Sequence, residues 1–263
     1  MRIPSRLLPI QPLFERSSNC EMTFCIGIKV SQGLLALADT RIVKGEEHLT
    51  KSKLSFSSNS ERRWWLVTSG LRSIRDKAVA YFEREMTEHT QASERLFELA
   101  NCFGQQLRRV RTEDGSSLSA SNFSFNLHAI MGGQLVKDDS PKMYYIYPEG
   151  NWIESSEDSP YFIIGRTHYA KPILDRLLRY DIPLRQAAAL AFLAFDASKA
   201  SVTDVDFPID MIVAESKSGK SHYRRFPEDE LAHVSKWWHQ TLSDALGHFP
   251  IECFDPLFER DLF

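Results

Sequence analysis

What most limits the folds open to this chain is the order in which its apolar periodicity changes. TFCIGIKV (23–30) and LLALADT (34–40) are rich in β-formers and are separated by the turn SQG (31–33), which predicts a hairpin. KLSFS (53–57) and RWWLVTSG (63–70) read as a third and a fourth strand. The spacing then switches to four. Ile74, Ala78, Phe82 and Met86 fall on one helical face, and Leu96, Leu99, Phe103, Leu107 and Val110 on another. The polar stretch TEDGSSLSASN (112–122) reads as a loop. Strands return at 123–133, 142–148, 151–156 and 161–165, with Pro148, Gly150 and Asn151 marking a turn between two of them. Helices are predicted near 169–180 and 183–198, the second with Pro183 in its first turn, where a missing N–H costs nothing. A hairpin at 208–216 and 221–226 and a helix from about Pro227 complete the pattern. Strands come in runs and helices in pairs, without βαβ alternation. That order predicts antiparallel sheets in a layered α+β fold.

Composition narrows the function classes. At 263 residues the chain can bury a substantial core, and 43% hydrophobic with 25% charged residues is ordinary for a water-soluble protein. A net charge of −3 supplies no basic field for nucleic acid or an anionic membrane. The local cluster Arg108, Arg109 and Arg111 reads as a solvated helix end. Cys20, Cys25, Cys102 and Cys253 form neither a CxxC pair nor a zinc pattern, Cys25 and Cys102 lie in apolar runs, and the eight histidines form no ligand motif. A reducing compartment, no metal and no cofactor are the expectation. Pro9 and Pro12 interrupt the apolar part of residues 1–22, which makes a poor signal peptide, and no run approaches the roughly 18 apolar residues of a membrane span. The cytoplasm is the expected location.

Chemistry concentrates around Thr23. As a free N-terminus, Thr23 would carry both a nucleophilic hydroxyl and an α-amine whose ordinary pKa of roughly 7.7–8.0 suits a general base at neutral pH. Such a centre needs a cation beside the hydroxyl, an acid to hold the cation, and backbone N–H groups facing the oxyanion. Asp39 ends the second strand, Lys53 begins the third, and Ser69-Gly70 ends the fourth at a strand-to-helix turn. Each alone is more often a turn former, a solvated lysine or a helix cap. All four in this order on matching elements point to a site.

A Thr followed 16 residues later by an Asp that stands two before an Arg, carried by Thr23, Asp39 and Arg41, with the KL strand at Lys53 and the SG turn at Gly70, resembles proteasome β-subunits. MGGQ (131–134), YIYPEGNWI (145–153), YFIIGRTHYAKPILDRLLRYDIPLRQA (161–187) and FPIDMIV (207–213) resemble the bacterial proteasome-type proteases called Anbu. The similarity runs from about residue 22 to 245. It implies a four-layer α/β/β/α N-terminal-nucleophile sandwich of two antiparallel sheets, a threonine peptidase activity and a ring-like or open-ring homo-oligomer. It assigns Thr23, Asp39, Lys53 and Gly70 to catalysis, with Arg41 and Ser69 in support. The chain departs from the β-subunit pattern in two places. Arg166 stands near the position of a usual serine, and SVTDVDFP (201–208) replaces an Asp-x-x-Ser-Gly motif. Thr203 or Asp204 is left to support the Thr23 amine, or neither does. The segment between Asp39 and Lys53 is also short.

Three segments are expected: an extension at 1–22, the hydrolase domain at 23–247 and an apolar tail at 248–263 containing Phe249, Phe254, Phe258 and Phe263. Met22 is the preferred true start, since its removal before a small residue would expose Thr23. A self-cleaved propeptide is the alternative, although proteasome propeptides usually end in Gly. The competing functions are an inactive structural subunit whose Thr23 is never freed, and an amidase of the same fold using Cys20 or Cys25. Peptide or protein is the expected substrate, the chain itself the expected partner.

Overall fold

The computed structural model describes residues 23–44, 47–59, 62–88, 93–165 and 167–258. The strands are β1 (Phe24–Val30), β2 (Gly33–Asp39), β3 (Arg41–Lys44), β4 (Glu47–Thr50), β5 (Leu54–Asn59), β6 (Arg62–Ser69), β7 (His128–Leu135), β8 (Lys142–Ile146), β9 (Trp152–Glu154), β10 (Tyr161–Gly165), β11 (Ile209–Glu215) and β12 (Ser221–Phe226). The helices are α1 (Arg72–Glu88), α2 (Leu96–Ala120), α3 (Thr167–Leu177), α4 (Leu184–Ser201), α5 (Glu228–Gly247) and the single turn α6 (Asp255–Phe258), which a 3-10 turn at Ile251–Phe254 precedes.

Alternation within the strands decides the layers. In β1, Phe24, Ile26 and Ile28 face one way and Cys25 the other, so each side of the strand needs its own apolar cover. One sheet has the order β10-β1-β2-β11-β12 and the other β5-β6-β7-β8-β9; every pairing is antiparallel. Leu34, Ala36, Trp65, Val67, Ile130, Met143, Ile164 and Ile212 fill the space between the sheets. Ala187, Ala191 and Phe195 of α4, with Leu174 of α3, cover the outer face of the first sheet. Ile74 and Phe82 of α1, with Phe103 and Leu107 of α2, cover the second. The result is the four-layer α/β/β/α sandwich.

The structure departs from the sequence expectations in four places. Residues 112–120 are helix, not loop, because α2 runs on to Ala120. Their polar composition hides this, but Lys77 of α1 reaches both Glu113 and Asp114 at 2.8 Å, and Leu118 packs against the core. Arg108, Arg109 and Arg111 therefore sit inside a helix rather than at its end. Arg109 pairs with Glu113 and stacks on Tyr81, while Arg108 donates to the Gly150 carbonyl. The strand expected at 123–133 starts only at His128. The segment after Asp39 forms a further hairpin, β3-β4, separate from both sheets. Within the tail expected at 248–263, the described residues include one 3-10 turn and one α-turn, with Phe249 and Phe254 stacked and Phe258 84% exposed. Residues 1–22, Arg166 and Phe263 lie outside the described residues.

Candidate active site

Three of the four candidate residues, Thr23, Asp39 and Lys53, are joined by hydrogen bonds at one end of the sandwich, and each of the four occupies a strand end. Thr23 precedes β1, Asp39 closes β2, Lys53 precedes β5, and Gly70 follows β6. Two of these strands belong to each sheet, so the cluster forms where the sheets face each other.

Asp39 is the centre, fully buried. Its Oδ1 accepts three hydrogen bonds: from Lys53 Nζ at 2.6 Å, from the Phe24 backbone N–H at 2.8 Å and from Thr23 Oγ1 at 3.0 Å. Its Oδ2 is buried and accepts none. Burial pushes the Asp39 carboxyl above the ordinary carboxylate range; the Lys53 charge and the three hydrogen bonds pull it back without prevailing. Thr23 and Lys53 are also buried, at 2% and 7% exposure, so the Lys53–Asp39 pair acts in a medium of low effective dielectric. Cys25 Sγ lies 4.0 Å from Thr23 Oγ1 and is enclosed in the layer between the sheets. Cys102 is half-buried, its thiol pushed up to about 11, chiefly by burial.

Two glycines let backbone crowd the site. Gly70 has φ +138°, and a Cβ there would fall 2.6 Å from the Asn126 carbonyl oxygen. The next residue donates its N–H to Asn126 Oδ1 at 3.0 Å, and α1 begins one residue later. Ser69 is buried, paired in register with His128 of β7. Gly165, which the sequence reading did not single out, has φ +100°, and a Cβ there would lie 1.9 Å from the Thr23 carbonyl oxygen. Its signal was available: like Gly70, it ends a strand immediately ahead of a helix.

Around this centre, residues 39–41 are stitched to 206–210. Thr40 donates its backbone N–H and its hydroxyl to the Pro208 carbonyl, at 3.0 and 2.7 Å. Arg41 pairs with Asp206 at 2.6 Å, and Lys199 approaches the same carboxylate at 3.5 Å. Asp206, from SVTDVDFP, thus engages Arg41; the sequence reading did not single it out and offered Thr203 or Asp204 for the Thr23 amine instead. Thr203 is exposed and stands outside the buried cluster, while Asp204 is half-buried. A separate cleft of about 470 Å³ beside β10 is lined by Tyr145, Tyr147, Phe162 and Lys171 among others, and by none of Thr23, Asp39, Lys53 and Gly70. Among the described residues, no group of three His, Cys, Asp or Glu side chains is placed to hold a metal ion, and no helix is long and apolar enough to cross a membrane.

Comparison with known proteins agrees with the fold. The family model described as "Proteasome subunit" matches residues 22–213. The Anbu (Gly-1) mutant from Hyphomicrobium sp. strain MC1 is 30% identical, over 86% of this chain and 97% of that one, with a TM-score of 0.79. Anbu, the ancestral beta-subunit, from Yersinia bercovieri is 29% identical over 87% and 98%, with a TM-score of 0.80. The helical assembly of the Anbu complex from Pseudomonas aeruginosa contains a chain 27% identical over 87% and 97%, with a TM-score of 0.81. No curated protein sequence matches the chain. The chain belongs to the proteasome subunit family, and within it to the Anbu proteins.

Proposed function

We propose that the protein is a threonine peptidase that cleaves peptide bonds with Thr23 as an N-terminal nucleophile. The observation that carries this reading is the convergence of Thr23, Lys53 and the Phe24 N–H on one oxygen of buried Asp39. Residues 1–22 are absent from the working form, and 23–247 form the hydrolase domain. The freed α-amine offers the Thr23 hydroxyl a proton acceptor on its own residue. The hydroxyl proton passes to that amine as Oγ1 attacks the scissile carbonyl carbon. Lys53 supplies positive charge that favours the alkoxide, and Asp39 holds Lys53 in place. The Gly70 N–H, at the turn into α1, donates to the oxyanion, with the helix N-terminus adding a favourable dipole. The tetrahedral intermediate then collapses. The C–N bond breaks, the α-ammonium protonates the leaving amine, and an ester links the substrate acyl group to Thr23. Water, deprotonated by the same amine, hydrolyses that ester. Arg41 and Ser69 support the site from behind, Arg41 through its pair with Asp206. Thr203 and Asp204 have no step here.

Self-assembly is the second part of the proposal. The Pseudomonas aeruginosa relative forms a helical assembly. In this chain α5 has no fully buried residue, and Trp237 (58%) and Leu246 (74%) are strongly exposed along it. Light scattering at micromolar concentration should give a large homo-oligomer; a monomer would overturn this part. The expected place of action is the cytoplasm.

Intact mass together with a peptide epoxyketone or boronate probe tests the chemistry, since both probes report a threonine hydroxyl beside a free amine. The expected result is a native chain beginning at Thr23, labelled once, and no labelling of Thr23→Ala. Labelling of Thr23→Ala at the wild-type level would refute the assignment. So would native protein that keeps residue 22 and takes no label, which would favour a non-catalytic subunit.

A further inference from the structure

Asp210 is a second buried carboxylate beside the first. It lies on β11, next to Ile209, which pairs in register with Asp39 of β2. Its partners are Arg225, which donates from Nε to Oδ1 at 2.7 Å and from Nη2 to Oδ2 at 2.9 Å, Tyr223, whose hydroxyl reaches Oδ1 at 2.9 Å, and Ser52, whose hydroxyl reaches Oδ2 at 2.7 Å. Ser52 belongs to the opposite side of the sandwich, one residue before Lys53. Its Oγ also accepts the Leu54 N–H at 3.2 Å, so the residues on both sides of Lys53 are tied to one hydroxyl. Arg75 donates to the Ser52 carbonyl at 3.4 Å, and the Lys53 carbonyl accepts the Thr68 N–H at 3.0 Å. The chain around Lys53 is held at four points, and one of them crosses between the sheets.

We propose that Ser52, anchored by Asp210 and Arg225, is the positioning residue that aims the Lys53 ammonium at Asp39 and Thr23. This rests on the nucleophile reading above only for its kinetic consequence. The tether itself concerns where Lys53 points. A four-carbon side chain has many rotamers, and losing one backbone anchor frees the residue from which all of them start. The Asp210–Ser52 and Asp39–Lys53 bonds both run from diagonal neighbours of one sheet to consecutive residues just before the other sheet's first strand. With the Asp210–Ser52 bond broken, the backbone on either side of Lys53 keeps only the Arg75 and Thr68 anchors within its own side of the sandwich, and the Lys53–Asp39 ion pair is left to bridge the sheets there. A displaced ammonium lowers the pKa of the Thr23 amine less, so the amine loses its proton at higher pH.

Ser52→Ala removes the tether and leaves Asp210 paired with Arg225 and Tyr223; Ser52→Thr keeps the hydroxyl. Two readouts are needed. The first is the rate of Lys53 acetylation by a small acylating reagent, followed by mass spectrometry with exposed lysines as internal reference. Ser52→Ala should raise it about tenfold and Ser52→Thr should restore it. The second is the pH profile of epoxyketone labelling. In Ser52→Ala the rate should fall about tenfold at neutral pH and the acidic limb should move up by about half a pH unit, again restored by Thr. Wild-type acetylation of Lys53 in Ser52→Ala overturns the proposal whether or not the protein labels. A tenfold rise in Ser52→Ala, when the wild type itself takes no label, upholds the tether and refutes the nucleophile reading. A fall in labelling with an unmoved pH profile and a general rise in lysine acetylation means that Ser52 serves only stability, and overturns the proposal.

Discussion

Two buried aspartates lie one residue apart across adjacent strands, and the fold treats them oppositely. Asp39 gathers three donors on one oxygen and leaves the other with none. Asp210 spreads four hydrogen bonds over both oxygens. Burial pushes both carboxyls up. At Asp210 the hydrogen bonds from Arg225, Ser52 and Tyr223 and the Arg225 charge prevail and hold it below the ordinary range. At Asp39 burial prevails over Lys53. Asp39 is the more deeply desolvated of the two, and Asp210 has the larger donor set spread over both oxygens; both differences favour the Asp210 carboxylate. Asp210 has the environment of a fastener. Asp39 has that of a group kept under-solvated beside the Thr23 hydroxyl.

The largest expected effect separates the two by chemistry. Lys53→Ala should lower probe labelling by about 10²–10³, the scale of losing an electrostatic contact to a developing charge, and Asp39→Asn should lower it somewhat less, because it orients charge rather than supplying it. Asp210→Asn should lower it only about tenfold, through Ser52. Equal losses at Asp39 and Asp210, measured as second-order labelling rates, would erase the distinction.

Stability sharpens the contrast. Asp39→Asn leaves the Lys53 ammonium buried without its partner and should cost about 3–5 kcal/mol in urea unfolding, whereas Asp39→Asn with Lys53→Met should recover most of that. Asp210→Asn leaves Arg225, which is partly exposed, and should cost about 1–3 kcal/mol. A double variant no more stable than Asp39→Asn alone would show that the Lys53 charge is not what makes the single change costly.

The pH dependence carries opposite signs. Asp210 has a lowered folded pKa, so its stabilisation is present above the unfolded value of about 3.9 and is lost as pH falls through that value toward the folded one. Asp39 has a raised folded pKa, so its contribution is fully present below about 3.9 and is lost as pH rises toward the folded value. The penalty of Asp210→Asn should therefore shrink between pH 7 and pH 3 in urea titrations. A penalty constant over that range would show that Asp210 is not held below its ordinary value.

The smallest effect is Tyr223→Phe. It removes one of four hydrogen bonds to Asp210 and should cost about 1 kcal/mol or less, with probe labelling within twofold of wild type. A larger labelling loss would mean that the Asp210 end is as finely balanced as the Asp39 end.

The candidate residues could be picked out before the fold was known, because strand ends carry their own marks. Thr23 opens a β-rich run, Asp39 closes one, Lys53 opens the next, and Gly70 closes a run before a helical period begins. Asp206 was harder to read. SVTDVDFP holds two aspartates, and the Asp206–Arg41 pair depends on how the chain turns between α4 and β11. Ser52 and Asp210 gave no signal at all, since they are 158 residues apart and meet only because the sheets face each other.

The sequence by itself determined the run order of strands and helices, the apolar faces on both sides of the first sheet's strands, and which residues end those strands. Those properties depend on neighbours a few positions away, where periodicity and turn chemistry act. Only the tertiary structure decided that residues 112–120 continue a helix, because Lys77 on α1 neutralises Glu113 and Asp114 there. It alone brought Gly165 under Thr23 and made two adjacent aspartates unlike, because hydrogen-bond donors from distant strands and the depth of burial exist only once the sheets have packed.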